Sequence, residues 1–441
     1  MNLVFVAFHA MMCAFHASAI IPAYESISED LGVSIQRASY LTSLQIAILG
    51  GAPLFWRPLS ARYGRRPIFI ISLVGSLIFN VGCAKSHSYA AMAVCRAFQS
   101  FFISPPNAIG SAVVVETFFK RERAKFMGIW TVMITLGIPL APLIFGFVTH
   151  SVGYRWIYWI LATINGVQLI LYSLFGPETR FMRHDNAQHA QFGWTAYKKM
   201  YLSFRRIDPT PMTATEFVSP LRLFKYPCVI IPACAYAMVF LFASVLSTVE
   251  IPQLFGEKFH FNAQEIGLQF LGLIVGTVIG EQIGGHSSDL WMRWRTKKMG
   301  GRRPAPEFRL WLSYFGILLT ICGVVVFLVR IEQAPDLHWN VTPIVGAGIA
   351  AAGNQIVTTV LITYAVDCYP EEAGSIGVFI TFVRQVWGFL GPFWFPPMFE
   401  NVGIANSAGV VAGLLVGVSL MPVMFTHWKG QSLRTIMSER L

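Results

Sequence analysis

Long apolar stretches alternate with short polar links along almost the whole chain. Twelve of these stretches approach or exceed the roughly 20 apolar residues that a helix needs to cross a bilayer. They lack the alternation of apolar and polar residues that is typical of barrel strands. The pattern therefore predicts twelve transmembrane helices. We place them at residues 3–24, 36–56, 67–86, 88–112, 125–149, 155–176, 226–248, 264–288, 309–330, 341–366, 373–398 and 403–426.

Composition also indicates an integral membrane protein. Hydrophobic residues make up 55% of the 441 residues, and Asp, Glu, Lys and Arg together only 12%, against about 25% charged residues in soluble domains. So few charges cannot cover the surface of a soluble protein of this size. The seven cysteines lie in apolar stretches or at their ends, without the spacing of a metal site or a disulfide framework. We expect packing roles for them and no cofactor.

The basic residues predict the orientation. Of the 33 Lys and Arg residues, 26 fall in the links after spans 2, 4, 6 and 8 and in the C-terminal tail, and only five in the alternate links. Because Lys and Arg concentrate on the cytoplasmic side, we expect both termini in the cytosol, with the plasma membrane as the default location. This distribution also explains the net charge of +11 without nucleic acid.

The N-terminal span allows a second interpretation. Residues 17–19 form a small-residue run that resembles a signal-cleavage site, but no basic leader precedes the apolar stretch. We therefore interpret it as the first transmembrane helix. A longer N-terminus, missing from this sequence, stays open.

The chain divides into two similar halves. The motif Gly-Arg-Arg-Pro follows span 2 at residues 64–67 and recurs after span 8 at 301–304, and Glu116 and Asp367 occupy corresponding helix ends after spans 4 and 10. Two such matches in register predict an internal duplication. We place the N-terminal six-helix half at 1–176, a basic cytosolic linker at 177–225, the C-terminal half at 226–426 and a short cytosolic tail at 427–441.

Three motifs resemble those of the major facilitator superfamily. After span 2 its signature is Gly-x-Leu-Ser-Asp-Arg-x-Gly-Arg-Arg; residues 57–66 match it except that Arg57 replaces the Gly and Ala61 the Asp. Residues 96–100 are similar to the span 4 signature Arg-x-x-Gln-Gly. The span 5 antiporter signature is present with two changes. Its positions here are Gly128, Gly137, Ala141, Pro142, Phe145 and Gly146.

The resemblance is closest to the fungal twelve-span drug:proton antiporters. It implies an all-α integral membrane fold of twelve helices in two pseudo-symmetric six-helix halves, and a monomeric secondary transporter rather than an enzyme. The expected activity is proton-coupled export of small organic compounds, such as drugs, toxins or secondary metabolites, by alternating access. The expected partners are the substrate, protons and the lipid bilayer. Import or exchange of polyamines or other organic cations, for which Glu250 is a candidate, and a non-transporting receptor remain alternatives.

The resemblance assigns a set of residues to cytoplasmic gating. In the family, the Asp that Ala61 replaces forms a lock at the cytoplasmic side, so we expect a weaker lock here, with Asp289 and Arg293 as an offset. Normal gating through other contacts is the alternative. In span 5, Phe145 is expected either to open one point of close helix contact or to rotate that point away. The gating residues are Arg57, Arg62, Gly64, Arg65, Arg66, Glu116, Arg123, Asp289, Arg293, Arg302, Arg303 and Asp367.

Ionisable residues inside spans are candidates for coupling, because each is costly in the membrane. Arg96 belongs to the span 4 motif, Arg384 lies in span 11, and Glu281 in span 8 is the best proton-carrier candidate. His9 and His16 share one face of span 1, which contributes to the cavity in this fold. For each, a structural role is the alternative. The substrate-cavity candidates are Gln99, Tyr236, Asn354, Gln355 and Trp387.

Motifs of other functional classes are missing from the sequence. It contains no GxxxxGK[ST] phosphate loop, no HExxH and no GxSxG. We therefore expect neither direct ATP drive nor an enzyme, and expect a proton gradient to supply the energy.

Overall fold

The computed structural model describes residues 2–117, 123–179, 206–208, 211–300 and 304–438. Within these ranges the chain is almost entirely helical, and no strand occurs. The first-half helices are α1 (Asn2–Ser18), α2 (Tyr24–Leu31), α3 (Ile35–Tyr63), α4 (Arg65–Ala84), α5 (Tyr89–Ile103), α6 (Pro105–Thr117), α7 (Arg123–Val152) and α8 (Arg155–Phe175).

A short helix, α9 (Ala214–Val218), precedes the second half. The helices of that half are α10 (Pro227–Phe240), α11 (Ser247–Phe259), α12 (Ala263–Glu281), α13 (Ser288–Lys298), α14 (Trp311–Gln333), α15 (Thr342–Cys368), α16 (Ala373–Val402), α17 (Ile404–Leu414) and α18 (Met421–Ser438). Three π-helical segments make α10–α11, α12–α13 and α17–α18 into continuous spans. They are Leu241–Leu246, Gln282–Ser287 and Leu415–Leu420.

These helices confirm the predicted membrane architecture. Eleven helices among the described residues are long and apolar enough to cross a membrane. The shorter α5 continues into α6 and supplies the remaining span. The sequence predicts one uninterrupted helix here, but the structure divides it at Ser104, because Pro105 and Pro106 have no N–H to continue the hydrogen-bond ladder.

Several helices extend beyond the predicted apolar spans. Helix α3 runs to Tyr63, seven residues past the predicted boundary at 56, and ends where Gly64 adopts a φ of +97°. The eighth span likewise continues as helix to Lys298. Helical hydrogen bonding does not stop at the membrane surface, so apolar length alone underestimates these helices.

The two halves meet along two pairs of helices. Helix α3 packs against α16, and α7 packs against α12. Within the halves, α4 packs on α5 and α8, and α14 packs on α15. A space therefore remains between the halves, bordered by the α3–α16 and α7–α12 contacts. We call the end of the bundle that carries both termini and the links after α3, α6, α8 and α13 the basic end, and the other the opposite end.

Candidate functional site

A cavity of about 140 Å³ lies between the two halves. Side chains from α1, α3, α7, α10, α15 and α16 line it, and most of them are apolar or carry hydroxyl or amide groups. The predicted residues Tyr236, Asn354 and Gln355 are among them, whereas Gln99 and Trp387 are not. Among the described residues of the lining, Arg384 is the one that carries a charge.

A larger groove of about 1050 Å³ lies elsewhere, on the second half alone. It is lined mainly by apolar residues of α12, α14 and α15, with exposed Val275, Phe315 and Val345 among them. Because it does not lie between the halves and carries few polar groups, we do not assign it to the functional site.

The cavity is closed toward the opposite end. There the Gln36 side chain donates to the Pro392 carbonyl oxygen at 2.6 Å, and the rings of Tyr40 and Phe393 stack with centroids 4.6 Å apart. Each contact joins α3 to α16 across the halves. Lining residues near this end, such as Ser18, are buried, whereas Thr131, nearer the basic end, is partly exposed. The two contacts between α3 and α16 therefore close the cavity at the opposite end.

The span 5 motif forms the second crossing between the halves. A Cβ atom at Gly146 would lie 2.6 Å from the Ala263 carbonyl oxygen, and one at Gly267 would lie 2.7 Å from the Pro142 carbonyl oxygen. The backbones of α7 and α12 therefore touch, which small residues permit. Ala141 is buried, and Gly137 approaches α1 in the same way. Gly128 lies in α7, but its environment is outside the described residues.

Of the two outcomes expected for Phe145, the structure shows the second. The side chain does not open the contact; it is fully buried and meets Phe15 of α1 edge-on, with ring centroids 5.4 Å apart. The aromatic ring fills the space between α7 and α1 while Gly146, on another face of α7, keeps the close approach to α12.

Arg384 projects into the cavity from α16. Its guanidinium donates to the Tyr236 hydroxyl at 3.0 Å and lies over the Phe240 ring, 4.5 Å from the centroid. Its Nε is buried and has no hydrogen-bond partner among the described residues. The sequence shows that Arg384 is an ionisable residue inside a span, but it does not show that the side chain points into the cavity.

Glu281 lies beside the cavity and is connected to it by a hydrogen bond to one lining side chain, that of Gln355. Its carboxylate accepts a hydrogen bond from the Gln355 amide at 2.5 Å and another from the Thr359 hydroxyl at 3.3 Å. Gln355 itself lines the cavity. The alternative partner considered from sequence, Arg293, is exposed and makes no ion pair with Glu281.

Arg96 occupies the core of the first half rather than the cavity. It is 1% exposed and donates to the side-chain oxygen of Gln45, to the Tyr158 hydroxyl at 3.2 Å and to the Leu41 carbonyl at 3.4 Å. Gln45 in turn donates to Gln99 at 3.2 Å. Gln99 lies outside the cavity lining because its side chain bonds Gln45 in the core of the first half.

The two histidines also face away from the cavity. His9 contacts the Ser72 hydroxyl at 3.1 Å, and His16 contacts the amides of Asn80 and Asn165 at 3.2 and 3.4 Å. These partners belong to α4 and α8, whereas the cavity is lined by Ala14, Ala17 and Ser18 on the other side of α1. The sequence placed both histidines correctly on one face but did not show which neighbours that face meets.

At the basic end, three acidic residues that are distant in sequence bind the first-half motif at residues 57–66. The backbone N–H groups of Arg65 and Arg66 donate to the Glu178 carboxylate at 2.8 and 2.9 Å, where a carboxylate also complements the helix dipole at the start of α4. Gly64 is needed here, since a side chain would meet Glu178. Glu178 follows α8 and lies 113 residues from Arg65 in sequence, so local sequence patterns could not predict this contact.

The remaining basic residues of the motif contact the linker and the other half. Arg62 pairs with Asp208 and with Glu216, the latter at 2.6 Å. Arg57 donates to the hydroxyl of Ser219 at 3.2 Å and to that of Ser375 on α16 at 2.8 Å. Arg57 thus joins the two halves directly. These contacts are made by residues of the same motif in which Ala61 replaces the family's Asp.

The second half has its own ion pairs at the basic end. Arg309 pairs with Asp367 at 3.3 Å and donates to the Ser288 hydroxyl at 2.8 Å. Arg434 pairs with Glu307 at 2.8 Å. The predicted Asp289–Arg293 contact and the side chains of Glu116 and Arg123 lie outside the described residues, as do Arg302 and Arg303.

Sequence comparison identifies the family. A family model described as the Major Facilitator Superfamily matches residues 5–392. The chain belongs to the Major Facilitator Superfamily. As a member of this superfamily it is a multi-pass membrane transporter for small substrates and not an enzyme.

Among its relatives are named efflux pumps. The chain is 26% identical to the uncharacterized transporter mfc1 of Schizosaccharomyces pombe, over 95% of this chain and 87% of that one. It is 26% identical to the efflux pump FUB11 of Gibberella moniliformis, over 97% and 72% of the two chains. It is 24% identical to the probable efflux pump mfs2 of Aspergillus flavus, over 94% and 98%.

Solved structures share the fold. The human organic anion transporter MFSD10 (TETRAN) superposes with a TM-score of 0.62 at 16% identity, covering 96% of this chain and 98% of that chain. The peptide transporter POT in complex with alafosfalin superposes with a TM-score of 0.66 at 15% identity, covering 98% and 94%. At these identities the comparison supports the two-half helical fold alone.

Proposed function

We propose that this superfamily member is a proton-coupled secondary transporter that exports small organic compounds from the cytosol by alternating access. The basic end is the cytosolic side, and the plasma membrane is the proposed location. The concentration of Lys and Arg at that end supports the orientation. A single chain contributes both halves of the cavity, so the proposal requires no second copy.

The observation that carries the proposal is the hydrogen bond between Glu281 and Gln355. It connects a carboxyl group that can gain or lose a proton to a side chain that lines the cavity. An ionised carboxylate only accepts hydrogen bonds, whereas the protonated form also donates one. A proton on Glu281 therefore changes which group the Gln355 amide can bond.

This change links protonation to the substrate site. If protons and substrate each favour a different arrangement of Gln355, their binding is reciprocally coupled. In alternating access the coupled change is the exchange between cavities open to either side, driven by movement of one half against the other. Named efflux pumps among the relatives are consistent with outward transport.

The other activities considered have no comparable support. A polyamine site would need carboxylates in the cavity, but the lining described here contains Arg384 and neither Asp nor Glu. Glu250, the acid considered for cations, is buried in α11 and is not among the lining residues. No observation favours a receptor without transport.

Replacing Glu281 with glutamine tests the coupling. Purified full-length protein is placed in proteoliposomes with an imposed proton gradient and a panel of dyes, antifungals and aromatic carboxylates. For wild type we expect accumulation that an uncoupler abolishes. Glu281→Gln keeps the size and polarity of the side chain but cannot ionise. We expect its proton-driven accumulation ratio to fall at least about tenfold, which corresponds to ~1.4 kcal/mol of free energy. Downhill exchange should persist.

The matched control is Glu400→Gln, which changes an exposed acid of α16 near the opposite end. It should accumulate substrate as the wild type does. Proton-driven accumulation that is unchanged in Glu281→Gln would contradict the role of Glu281. Flux of panel compounds that ignores the proton gradient in wild type would contradict proton coupling itself.

A further inference from the structure

We infer that the central cavity binds a compact organic anion and that Arg384 holds its carboxylate. The inference rests on the proposed function in one respect, because it takes the cavity between the halves as the transport site. It goes further in naming the chemical class of the substrate and the residue that selects it.

The charge of the cavity is the first support. In the part of the lining that the structure describes, Arg384 is the single charged residue, and no carboxylate accompanies it. The acid beside the cavity, Glu281, is engaged with Gln355 and Thr359, and Glu250, buried in α11, is not among the lining residues. Among the described residues, Arg384 contacts only neutral groups, the Tyr236 hydroxyl and the Phe240 ring. An anion in the cavity would compensate a charge that the described residues leave uncompensated.

The free edge of the guanidinium is the second support. Tyr236 occupies Nη1, whereas Nε is buried without a partner, and Nη2 has no hydrogen bond to a described residue. Nε and Nη2 form the side edge of the guanidinium, which presents two parallel N–H groups. That edge matches the two oxygen atoms of a carboxylate. Tyr236 and Phe240 meanwhile fix the orientation of the planar group.

The size and lining of the cavity narrow the class further. A volume of about 140 Å³ is well below the roughly 300–1,000 Å³ of pockets for drug-sized ligands, so this state accommodates a compact ligand. Aromatic residues flank the space, including Tyr236, Phe240 and Trp130. Aromatic side chains offer flat surfaces on which a ring can stack. An aromatic monocarboxylate combines the required charge, size and shape.

The test compares three probes of nearly equal size: benzoate, benzamide and benzylammonium. Binding to the purified full-length protein is measured from the shift in unfolding temperature and from titration of Trp fluorescence. Wild type should bind benzoate at least about tenfold more tightly than benzamide or benzylammonium, because a site built for a charged partner rejects ligands that lack it. Arg384→Gln should lose this preference, and Arg384→Lys, which keeps the charge but not the planar fork, should retain part of it.

Two further variants test whether the loss of benzoate binding is specific to Arg384. Arg330→Gln removes an exposed charge of α14 at the opposite end and should bind benzoate as the wild type does. Tyr236→Phe keeps Arg384 but removes the hydroxyl that orients it, and should weaken benzoate binding several-fold. Equal affinity of wild type for benzoate and benzamide, or equal benzoate affinity in wild type and Arg384→Gln, would overturn the inference.

The same proteins separate this inference from the proposed function. Proton-driven flux of neutral or cationic dyes in wild type and Arg384→Gln alike would support transport and overturn the anion site. Benzoate binding that depends on Arg384, without proton-driven flux of any carboxylate, would support the anion site and count against the proposed function.

Discussion

Replacing Gly267 with leucine should abolish most transport. A side chain at this position would lie 2.7 Å from the Pro142 carbonyl oxygen and 3.2 Å from the Gly146 Cα. Both atoms are backbone, so neither can move away as a flexible side chain would, and the crossing of α7 and α12 has to separate. Overpacking of this kind costs ~1–3 kcal/mol, which corresponds to a shift of roughly 5–150-fold in a two-state equilibrium. The state closed at the opposite end would lose most of its population.

The matched control for this prediction is Gly409→Leu in α17, where nothing lies within 4 Å of the added side chain. Flux is measured in proteoliposomes at equal amounts of monodisperse protein. Gly409→Leu should retain nearly normal flux, whereas Gly267→Leu should fall by at least about tenfold. Normal flux in Gly267→Leu would mean that the close crossing of the two halves is not needed for the transport cycle.

Replacing Arg96 with methionine should destabilise the protein rather than uncouple it. The change leaves the Gln45 side-chain oxygen and the Tyr158 hydroxyl without their buried donor. A buried polar group that loses its partner costs ~1–3 kcal/mol. Two such groups together cost at least ~2 kcal/mol, and a chain of this length loses about 1 °C per kcal/mol, so we expect the unfolding temperature in detergent to fall by at least about 2 °C. The protein that remains folded should still accumulate substrate in response to a proton gradient.

A conservative variant distinguishes the two roles of Arg96. Arg96→Lys keeps the charge but cannot reach three partners with one planar group, so its unfolding temperature should lie between those of wild type and Arg96→Met. An unchanged unfolding temperature in Arg96→Met, together with loss of proton-driven flux, would contradict the structural role and assign Arg96 to coupling.

The architecture follows from sequence because the bilayer imposes it. Spans such as 36–56 and 341–366 are apolar over the length that a membrane requires, and their backbone groups can be satisfied only in a helix. The repeated Gly-Arg-Arg-Pro motif then indicates two halves. What apolar length does not reveal is how far a helix continues into water, as α3 does to Tyr63.

The site is less predictable, because it depends on how the helices are rotated and packed. Tyr236, Asn354 and Gln355 were placed in the cavity from sequence, and the structure finds them in its lining. His16 and Arg96 are also polar residues inside predicted spans, yet both face partners inside the first half. Nothing in the local sequence distinguishes a polar residue that faces a neighbouring helix from one that faces the cavity.

Contacts between distant segments were the least predictable. Asp208 and Glu216 bind Arg62 at the end of α3, and Glu178 binds the start of α4, although more than 100 residues separate these partners in sequence. Arg57 appeared to be a departure from the family motif, and in the structure it contacts Ser375 of the other half. Such contacts can be found only once the halves are assembled.

The central claim is that substrate crosses between the halves as they open alternately, and a reversible crosslink at the opposite end tests it most directly. Tyr40 and Phe393 face each other there, with ring centroids 4.6 Å apart. Both are replaced with cysteine and joined by a short bis-methanethiosulfonate, which forms a disulfide with each cysteine and releases methanesulfinate. Each single cysteine variant, treated identically, controls for reaction with the native cysteines. We expect crosslinked protein to lose flux while it keeps ligand binding, and reduction to restore flux. Unchanged flux through fully crosslinked protein would contradict alternating opening of the two halves.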